Sequence, residues 1–356
     1  MIVTLTPNPS IDRTVTLAGE LQRGAVLRAE SVTSQGGGKG VNISRAAVAA
    51  DVRTIAVLPA ENDDPFVLDL LRDGIDCRPE KPAGDVRVNL TLTEPDGTTT
   101  KVNTPGAEVD RSDLDRLAAA VTQRARTASW VVLAGSLPPG APDGWYAELV
   151  GALAGTGTSV AVDTSGAPLV ALAGGLELAA PTLMKPNGEE LASLTGGDAD
   201  AIEADPSAAA EAASVLVERG VEAVLATLGG SGAVLVTAAG AWHATPPPTT
   251  VVSTVGAGDS SLFGYLLGDL RGLEPPERLR LAVAYGSAAA GLPGTTIPTP
   301  AHLRTELVEV RPLEPALSAH AAQPAQPAQP AQSTEPAQST QAAPSAQAVT
   351  KRTEET

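Results

Sequence analysis

The sequence predicts an α/β protein in which a central, mostly parallel β-sheet is flanked by helices on both faces and carries a small β lid. Two observations predict this fold class. Short apolar runs rich in β-branched residues alternate with helical patterns, as in parallel sheets that are buried on both faces. Two further pairs of segments alternate apolar and polar residues, which is typical of a sheet with one exposed face.

The central sheet is predicted from six apolar runs and the helical patterns between them. The predicted strands are residues 2–5, 54–58, 130–134, 159–163, 182–185 and 223–228. The predicted helices include residues 41–50, 65–73, 112–125, 143–153, 206–219 and 276–290. A helix between two strands is the usual connection of a parallel pair, so the alternation favours a parallel sheet.

The lid is predicted from residues 11–17 with 26–33 and from residues 86–93 with 99–102, as two antiparallel pairs. The second pair is joined by Glu94-Pro95-Asp96-Gly97, a favourable hairpin turn. The lid strands thus occupy about residues 11–34 and 86–103 of a domain that spans residues 1–311. Because a small separate sheet leaves edges that a second subunit can cover, the pattern predicts a homodimer through the lid.

The amino-acid composition narrows the range of partners. The chain has 356 residues, 43% of them hydrophobic, which is enough for one large domain with a substantial core. The formal net charge of −17 argues against nucleic acid or an anionic membrane as partner. The single cysteine, Cys77, leaves no disulfide framework and no cysteine-based metal site.

The two ends of the chain differ in character. The first residues are typical of a strand, and no run approaches 18 uninterrupted apolar residues, so we expect a soluble, cytoplasmic protein. Residues 312–356 are mostly Ala, Gln, Pro, Ser and Thr and lack large apolar residues after Leu317, apart from Val349. Such a segment cannot offset the entropy of ordering, so we expect a disordered tail.

A glycine turn, Ser253-Thr254-Val255-Gly256-Ala257-Gly258-Asp259, ends in an aspartate at the start of a predicted helix. The small residues let backbone N–H groups approach an anion, and the positive end of the helix points to the same place. A carboxylate beside such an anion site can take a proton from a hydroxyl that attacks phosphorus. Asp259 is therefore a candidate base, although a plain turn capped by Asp259 fits these residues alone equally well.

Four more clusters contain glycine and lie mostly at predicted strand ends, at residues 36–42, 133–140, 185–190 and 227–232. In the first, Lys39 is followed by Gly40 where a Walker A loop needs Ser or Thr, and no predicted strand leads directly into it. Asn187 and Glu190 lie one helical turn apart, a spacing suited to hydrated Mg²⁺. Residues 227–232 are suited to wrapping a nucleotide's phosphates or ribose.

A series of short motifs runs through about residues 1–310. They are Thr6-Pro7-Asn8-Pro9-Ser10-Ile11-Asp12, Gly37-Gly38-Lys39-Gly40-Val41-Asn42, Arg87-Val88-Asn89, Gly135-Ser136-Leu137-Pro138-Pro139-Gly140, Asp163-Thr164-Ser165-Gly166, Lys185-Pro186-Asn187, Thr227-Leu228-Gly229, Pro246-Pro247-Pro248 and residues 253–259. In type and order these motifs resemble the PfkB family of ribokinase-like carbohydrate kinases. Ser253-Thr254-Val255, where ribokinase-type members generally carry Asp-Thr, points to the branch that acts on hexose phosphates.

The resemblance implies a ribokinase-like fold and ATP-dependent phosphorylation of a hexose phosphate, with Mg²⁺ as a cofactor. It implies that Asp259 is the base and that the backbone of Gly256, Ala257 and Gly258 stabilises the transferring phosphoryl group. For the sugar phosphate it implies hydroxyl contacts from Asp12, Asn42, Gly37 and Gly38, phosphate contacts from Lys39, Arg87 and either Asn103 or Ser136, and Asn89 in the same site. For the nucleotide it implies contacts from Lys185, Asn187, Thr227, Gly229, Gly232 and Gly258, with Glu190 organising Mg²⁺ through water.

The acceptor predicted first is fructose 1-phosphate, which gives fructose 1,6-bisphosphate. Lys39 within Gly-Lys-Gly and Arg87-Val88-Asn89 are similar to that subgroup. Fructose 6-phosphate and tagatose 6-phosphate stay open, because kinases of those sugars share most of these residues. A non-catalytic sensor of sugar phosphates or nucleotides on the same fold also stays open, since fold does not fix function.

Overall fold

Two β-sheets organise residues 1–313, the part of the chain that the computed structural model describes. Their strands are β1 (Ile2–Leu5), β2 (Ser10–Leu17), β3 (Ala29–Gly37), β4 (Thr54–Pro59), β5 (Asp76–Glu80), β6 (Arg87–Thr93), β7 (Thr99–Val102), β8 (Trp130–Ala134), β9 (Ser159–Asp163), β10 (Leu183–Met184), β11 (Ala223–Thr227), β12 (Ala233–Thr237), β13 (Gly240–Thr245) and β14 (Glu309–Leu313). The helices are α1 (Lys39–Ala49), α2 (Pro65–Arg72), α3 (Arg111–Ala125), α4 (Trp145–Leu153), α5 (Ala167–Gly174), α6 (Gly188–Thr195), α7 (Ala199–Ala204), α8 (Pro206–Glu218), α9 (Ala257–Leu270) and α10 (Pro275–Ala290).

The large sheet has the strand order β14-β13-β12-β11-β10-β9-β8-β1-β4-β5. From β5 to β11 all neighbouring strands are parallel, which confirms the mostly parallel sheet that the sequence predicts. From β11 to β14 the pairs are antiparallel, an edge that the strand–helix alternation did not indicate. Only Ala238 and Ala239 separate β12 from β13, and a two-residue connection can join antiparallel strands but not parallel ones.

Helices cover both faces of the large sheet. The residues of β8 illustrate this, because they pack alternately against the helices of the two faces. Val131 and Leu133 pack into a core with α3, α4 and α8, whereas Trp130 and Val132 pack into a second core with α1, α9 and α10. Successive side chains of a strand point to opposite faces. Because both faces are buried, the strand is an uninterrupted apolar run, and its predicted bounds agree with those in the structure.

The lid is a four-stranded sheet with the order β3-β2-β6-β7. β2 pairs with β3 and β6 with β7 in antiparallel fashion, as predicted, but β2 and β6 are parallel, which the sequence did not indicate. β3 continues through the glycine cluster to Gly37, and α1 begins at Lys39. A strand therefore does lead directly into this cluster, because the ladder with β2 holds the glycines extended where their sequence is typical of a turn.

The C-terminal boundary lies slightly beyond its predicted position. Pro312 and Leu313 complete β14 and pair with Trp242 and Ala241 of β13. The rest of the predicted tail, residues 314–356, lies outside the described residues. Within residues 1–313, no helix combines the length and apolarity that crossing a bilayer requires.

Candidate active site

A cavity of about 820 Å³ opens where β10 and β11 end and α9 begins. Its lining includes seven residues predicted to bind the nucleotide or its Mg²⁺: Lys185, Asn187 and Glu190 after β10, Thr227, Gly229 and Gly232 around the end of β11, and Gly258 in α9. The carboxyl edge of a parallel sheet is where α/β proteins usually bind ligands. The structure thus brings together on one wall the residues that the resemblance assigns to ATP.

The glycine turn forms the start of α9. Gly256 is the N-terminal cap and has a left-handed φ of 77°, which a side chain would strain. A Cβ atom placed on Gly258 would lie 3.3 Å from the Lys185 amine. The first N–H groups of a helix have no partner within the helix, so this turn joins backbone donors, a positive helix end and a lysine at one point. That combination suits a phosphate group.

Asp259 lies in the first turn of α9 and is 6% exposed. Its Oδ2 accepts a 2.8 Å hydrogen bond from Asn42 Nδ2, and its Oδ1 lies 3.8 Å from Lys39 Nζ. Burial raises the pKa of the Asp259 carboxyl, and the negative charge of Asp163 raises it further, with Lys39 and Asn42 opposing. A carboxylate whose pKa is raised is a stronger proton acceptor, which suits a base.

Asp163 stands between two lysines at the carboxyl end of β9. Lys39 Nζ donates a 2.9 Å hydrogen bond to Asp163 Oδ1, and Lys185 Nζ lies 3.4 Å from Oδ2. Burial alone would raise the pKa of Asp163, but the two ammonium groups hold it below its usual value. The pKa of Lys39 is raised, because Asp163 and Asp259 outweigh the effect of burial. Lys39 is therefore held charged beside Asp259.

Sequence reasoning missed a role for Asp163, although it quoted the motif that contains it. The available signal was an aspartate that ends an apolar strand, followed by Thr164-Ser165-Gly166. An acidic residue with 1% exposure at a strand end needs cationic partners, because burying an unpaired charge is costly. The sequence did not show that Lys39 and Lys185 are those partners.

The sugar-side residues lie on the lid and at the start of α1. Asp12 Oδ1 accepts hydrogen bonds from Ser10 Oγ at 2.8 Å and from Asn89 Nδ2 at 3.0 Å. Gly37 lies so close that a Cβ atom on it would meet Asp12 Oδ2 at 2.2 Å, so only glycine fits beside this carboxylate. Gly38 follows as the N-terminal cap of α1.

Two buried amide oxygens have no hydrogen-bond partner within residues 1–313. They are Oδ1 of Asn42 and Oδ1 of Asn89. The amide nitrogen of Asn42 donates to the Asp259 carboxylate, and that of Asn89 donates to the Asp12 carboxylate. Since buried polar atoms are normally paired, these oxygens are acceptors ready for the hydroxyl groups of a ligand.

The remaining predicted phosphate contacts gather where the chain leaves the lid. Arg87 donates to the Thr104 carbonyl at 2.8 Å, next to Asn103 in the chain. Asn8 donates to the Pro105 carbonyl at 3.0 Å and to Ser136 Oγ at 3.5 Å, which ties this segment to the loop after β8. Lys39 is placed differently, because its amine contacts Asp163 and Asp259 and lines the nucleotide cavity.

Asn187 and Glu190 form a capping box at the start of α6. Asn187 Oδ1 accepts from the Glu190 N–H at 2.7 Å, and Glu190 Oε2 accepts from the Asn187 N–H at 2.9 Å. The second carboxylate oxygen of Glu190 stays available on the cavity wall. Within the described residues, His, Cys, Asp and Glu form no cluster of three or more that suits direct metal coordination. The donor set therefore fits a hydrated ion bound mainly by phosphates.

The turn after β11 is fixed by backbone and side-chain contacts. Leu228 N–H donates to the Gly232 carbonyl at 2.8 Å, and His243 Nε2 hydrogen-bonds to the Ser231 carbonyl at 2.7 Å. His243 comes from β13, in the antiparallel edge that the sequence did not predict. Its contribution to this turn was therefore not foreseeable from motifs.

Comparison with known proteins points to the same family as the motifs. The model of the pfkB family carbohydrate kinases matches residues 6–302. A 1-phosphofructokinase of Xanthomonas campestris is 38% identical over 81% of this chain and 91% of the relative. A 1-phosphofructokinase of Rhodobacter capsulatus is 37% identical over 87% of this chain and 98% of the relative.

A solved structure has the same fold. It is phosphofructokinase-2 of Escherichia coli in complex with substrates and products, with 29% sequence identity and a TM-score of 0.77. The match covers 86% of this chain and 97% of that one. The ribokinase-like fold expected from the motifs is confirmed, and the chain belongs to the pfkB family of carbohydrate kinases.

Proposed function

We propose that this protein transfers the γ-phosphoryl group of ATP to the free primary hydroxyl of fructose 1-phosphate, which gives fructose 1,6-bisphosphate and ADP. The observation that carries the proposal is the buried Asp259 carboxylate at the N-terminus of α9, with Lys39 and Lys185 beside it. Relatives named 1-phosphofructokinase at 37–38% identity support this acceptor over other sugars.

In the proposed reaction, Asp259 takes the proton of the attacking hydroxyl. The hydroxyl oxygen forms a bond to the γ-phosphorus, and the bond from that phosphorus to the β–γ bridging oxygen breaks as ADP leaves. Negative charge is spread over the γ-phosphoryl oxygens during this step. We assign the stabilisation of that charge to the backbone at the start of α9 around Gly258 and to the amine of Lys185 beside it.

Lys39 is assigned to the reacting centre. The 1-phosphate of the acceptor and its reacting hydroxyl lie at opposite ends of the sugar, whereas the Lys39 amine lies 3.8 Å from Asp259. This position favours a contact with the transferring phosphoryl group over the predicted contact with the phosphate already on the sugar. Arg87, Asn103 and Ser136 around the lid exit remain for that existing phosphate.

The sugar hydroxyls are assigned to the lid and the start of α1. Asp12 and the free amide oxygens of Asn42 and Asn89 provide acceptors, and the backbone at Gly37 and Gly38 lies beside Asp12. Asn42 contacts the base directly, so it links recognition of the sugar to the position of Asp259. The acceptor hydroxyl is thereby held next to the carboxylate that deprotonates it.

Mg²⁺ is assigned to the nucleotide wall, where Glu190 and Asn187 would hold its water ligands. When bound, this ion neutralises charge on the phosphates. Glu190 is fixed by the capping box, so its free oxygen has a defined direction. The lysine pair and α9 provide the remaining positive potential on the same wall.

A homodimer through the lid is part of the proposal. β3 and β7 are the edge strands of the lid sheet, and each carries an exposed valine, Val32 at 57% and Val102 at 52% exposure. Edge strands with apolar side chains favour pairing with another chain. Light scattering after size exclusion tests this, and a mass equal to one chain at assay concentration would contradict it.

Product analysis tests the activity itself. Fructose 1-phosphate and MgATP are incubated with the protein and followed by ³¹P NMR. We expect fructose 1,6-bisphosphate and ADP to appear in equal amounts. ADP without a new sugar phosphate signal, or no reaction, would overturn the proposal, and the second result would favour the sensor alternative.

A further inference from the structure

We propose that Gln35 is a further residue that binds the sugar phosphate, and that Thr295 orients its amide. This inference rests on the proposed function and extends its sugar site. Neither residue belongs to a motif that the sequence singled out.

Gln35, Asp12 and Asn89 lie in one row across three strands. Asp12 of β2 is the register partner of Gln35 in β3 and of Asn89 in β6. Residues that are directly opposite on neighbouring strands point to the same face of a sheet. Gln35 therefore shares the face on which Asn89 donates to Asp12 at 3.0 Å.

The neighbouring row shows which face this is. A Cβ atom on Gly36 would meet the Phe66 ring at 3.0 Å and Leu70 at 3.1 Å, so the row of Gly36 and Ile11 faces α2. Successive residues of a strand alternate between faces. Gln35 and Asp12 therefore face away from α2, toward the sugar-side residues.

Thr295 fixes the amide of Gln35 from the main domain. Its hydroxyl donates a 2.6 Å hydrogen bond to Gln35 Oε1 across 260 positions of the chain. Thr295 belongs to the segment after α10, and Ala290 at the end of that helix lines the nucleotide cavity. The contact thus ties the Gln35 side chain of the lid to the main domain.

The orientation leaves the amide nitrogen of Gln35 as a donor. Within residues 1–313, this nitrogen donates no hydrogen bond. In the same row, the Asn89 nitrogen is already used by Asp12, and Asp12 only accepts when ionised. A sugar phosphate offers hydroxyl and ring oxygens that need donors. Of the two amides in this row, Gln35 is the one whose N–H donors are free to bind these oxygens.

The test uses the full chain and four single variants. Gln35→Leu removes the amide at similar size, and Thr295→Val removes the orienting hydroxyl. Ser34→Ala is the matched control for β3, because Ser34 lies on the opposite face, where it accepts from Arg13 at 3.1 Å. Thr295→Ser keeps the hydroxyl and should retain wild-type affinity for the sugar phosphate. Affinity for fructose 1-phosphate is measured by titration calorimetry without ATP, and KM values for both substrates are measured in a coupled assay.

We expect Gln35→Leu to weaken fructose 1-phosphate binding about tenfold and to raise its KM equally, with KM for MgATP changed less than about twofold. Thr295→Val should weaken sugar binding by about threefold. The double variant Gln35→Leu/Thr295→Val should bind the sugar no more weakly than Gln35→Leu alone, since both changes remove the same interaction. Ser34→Ala should bind like the wild type.

An unchanged Kd for fructose 1-phosphate in Gln35→Leu would overturn this inference. Equal losses for sugar and MgATP would also overturn it, because they would show a general effect on the fold. Failure of the wild type to phosphorylate the sugar while still binding it would overturn the proposed function alone. Failure of the wild type to bind fructose 1-phosphate would overturn both.

Discussion

The two ends of the cleft are built from different interactions. At the nucleotide end, Asp163 and Asp259 are almost completely buried; Asp163 has two lysines within 4 Å, Lys39 and Lys185, and shares Lys39 with Asp259. At the lid end, Asp12 accepts a hydrogen bond from the neutral amide of Asn89, and the two residues lie on half-exposed strands. Ion pairs strengthen where water is excluded, so charge is concentrated where the reaction develops charge.

This difference predicts different kinetic consequences. Interactions made only as the phosphoryl group transfers change kcat, whereas interactions with a bound sugar change its KM. Substitutions at the nucleotide end should therefore lower kcat, and substitutions on the lid should raise KM for the sugar phosphate. Single variants at either end test that separation.

Asp259→Asn should have the largest effect. The amide keeps the size of the side chain but cannot accept the hydroxyl proton, so we expect kcat to fall about 10³–10⁴-fold. KM for MgATP should stay within about twofold. The matched control is Asp269→Asn on the same helix, which contacts Trp130 and Arg278 and should keep full kcat. Steady-state assays measure kcat and KM for both variants. Retained turnover in Asp259→Asn would show that Asp259 is not the base.

Lys39→Met tests which end of the cleft the lysine serves. From its 3.8 Å distance to Asp259 we expect kcat to fall about 10²-fold with a small change in KM for the sugar. Lys101→Met, an exposed lysine on β7, is the control. A raised KM for fructose 1-phosphate at unchanged kcat would instead support the phosphate contact that the sequence predicted.

Asp163→Asn should lower kcat about tenfold or more, because Lys39 and Lys185 lose the carboxylate that positions them. It should also change the pH dependence. Activity requires ionised Asp259, so it rises as pH passes the pKa of that group. Asp163 raises this pKa, and its removal should move the acid limb of kcat/KM to lower pH. An acid limb that stays in place or moves to higher pH would contradict the assigned coupling.

Arg87→Met should have the smallest effect on kcat and act on the lid end. We expect KM for fructose 1-phosphate to rise roughly tenfold, since one charge-assisted contact to its phosphate is lost. Arg13→Met is the matched control, because Arg13 lies on the neighbouring strand and bonds Ser34 on the other face. Loss of kcat without a change in KM would contradict the separation of the two ends.

The two ends also differ in how far the sequence predicted them. The nucleotide end depends on local motifs, and Ala257, Gly258, Lys185 and Thr227 from three of these motifs line one cavity, although their roles stay predictions. Short apolar strands such as β8 were predicted with their observed bounds, because burial on both faces leaves a simple pattern.

The unpredicted parts depend on contacts between distant segments. The parallel pairing of β2 with β6, the lysine pair around Asp163 and the contact of Thr295 with Gln35 join residues that no local pattern relates. The capping box of Asn187 and Glu190 is local, yet the sequence assigned these residues to Mg²⁺ and the nucleotide and not to a helix cap, because one spacing serves both purposes.

The proposed acceptor is most directly tested by comparing kcat/KM for fructose 1-phosphate, fructose 6-phosphate and tagatose 6-phosphate in one coupled ADP-release assay with MgATP. We expect a preference for fructose 1-phosphate of roughly a hundredfold, about 2.7 kcal/mol of transition-state discrimination. A preference for either 6-phosphate would contradict the proposed acceptor and reverse the sugar in the cleft. Absence of turnover with all three would contradict the kinase assignment of this site.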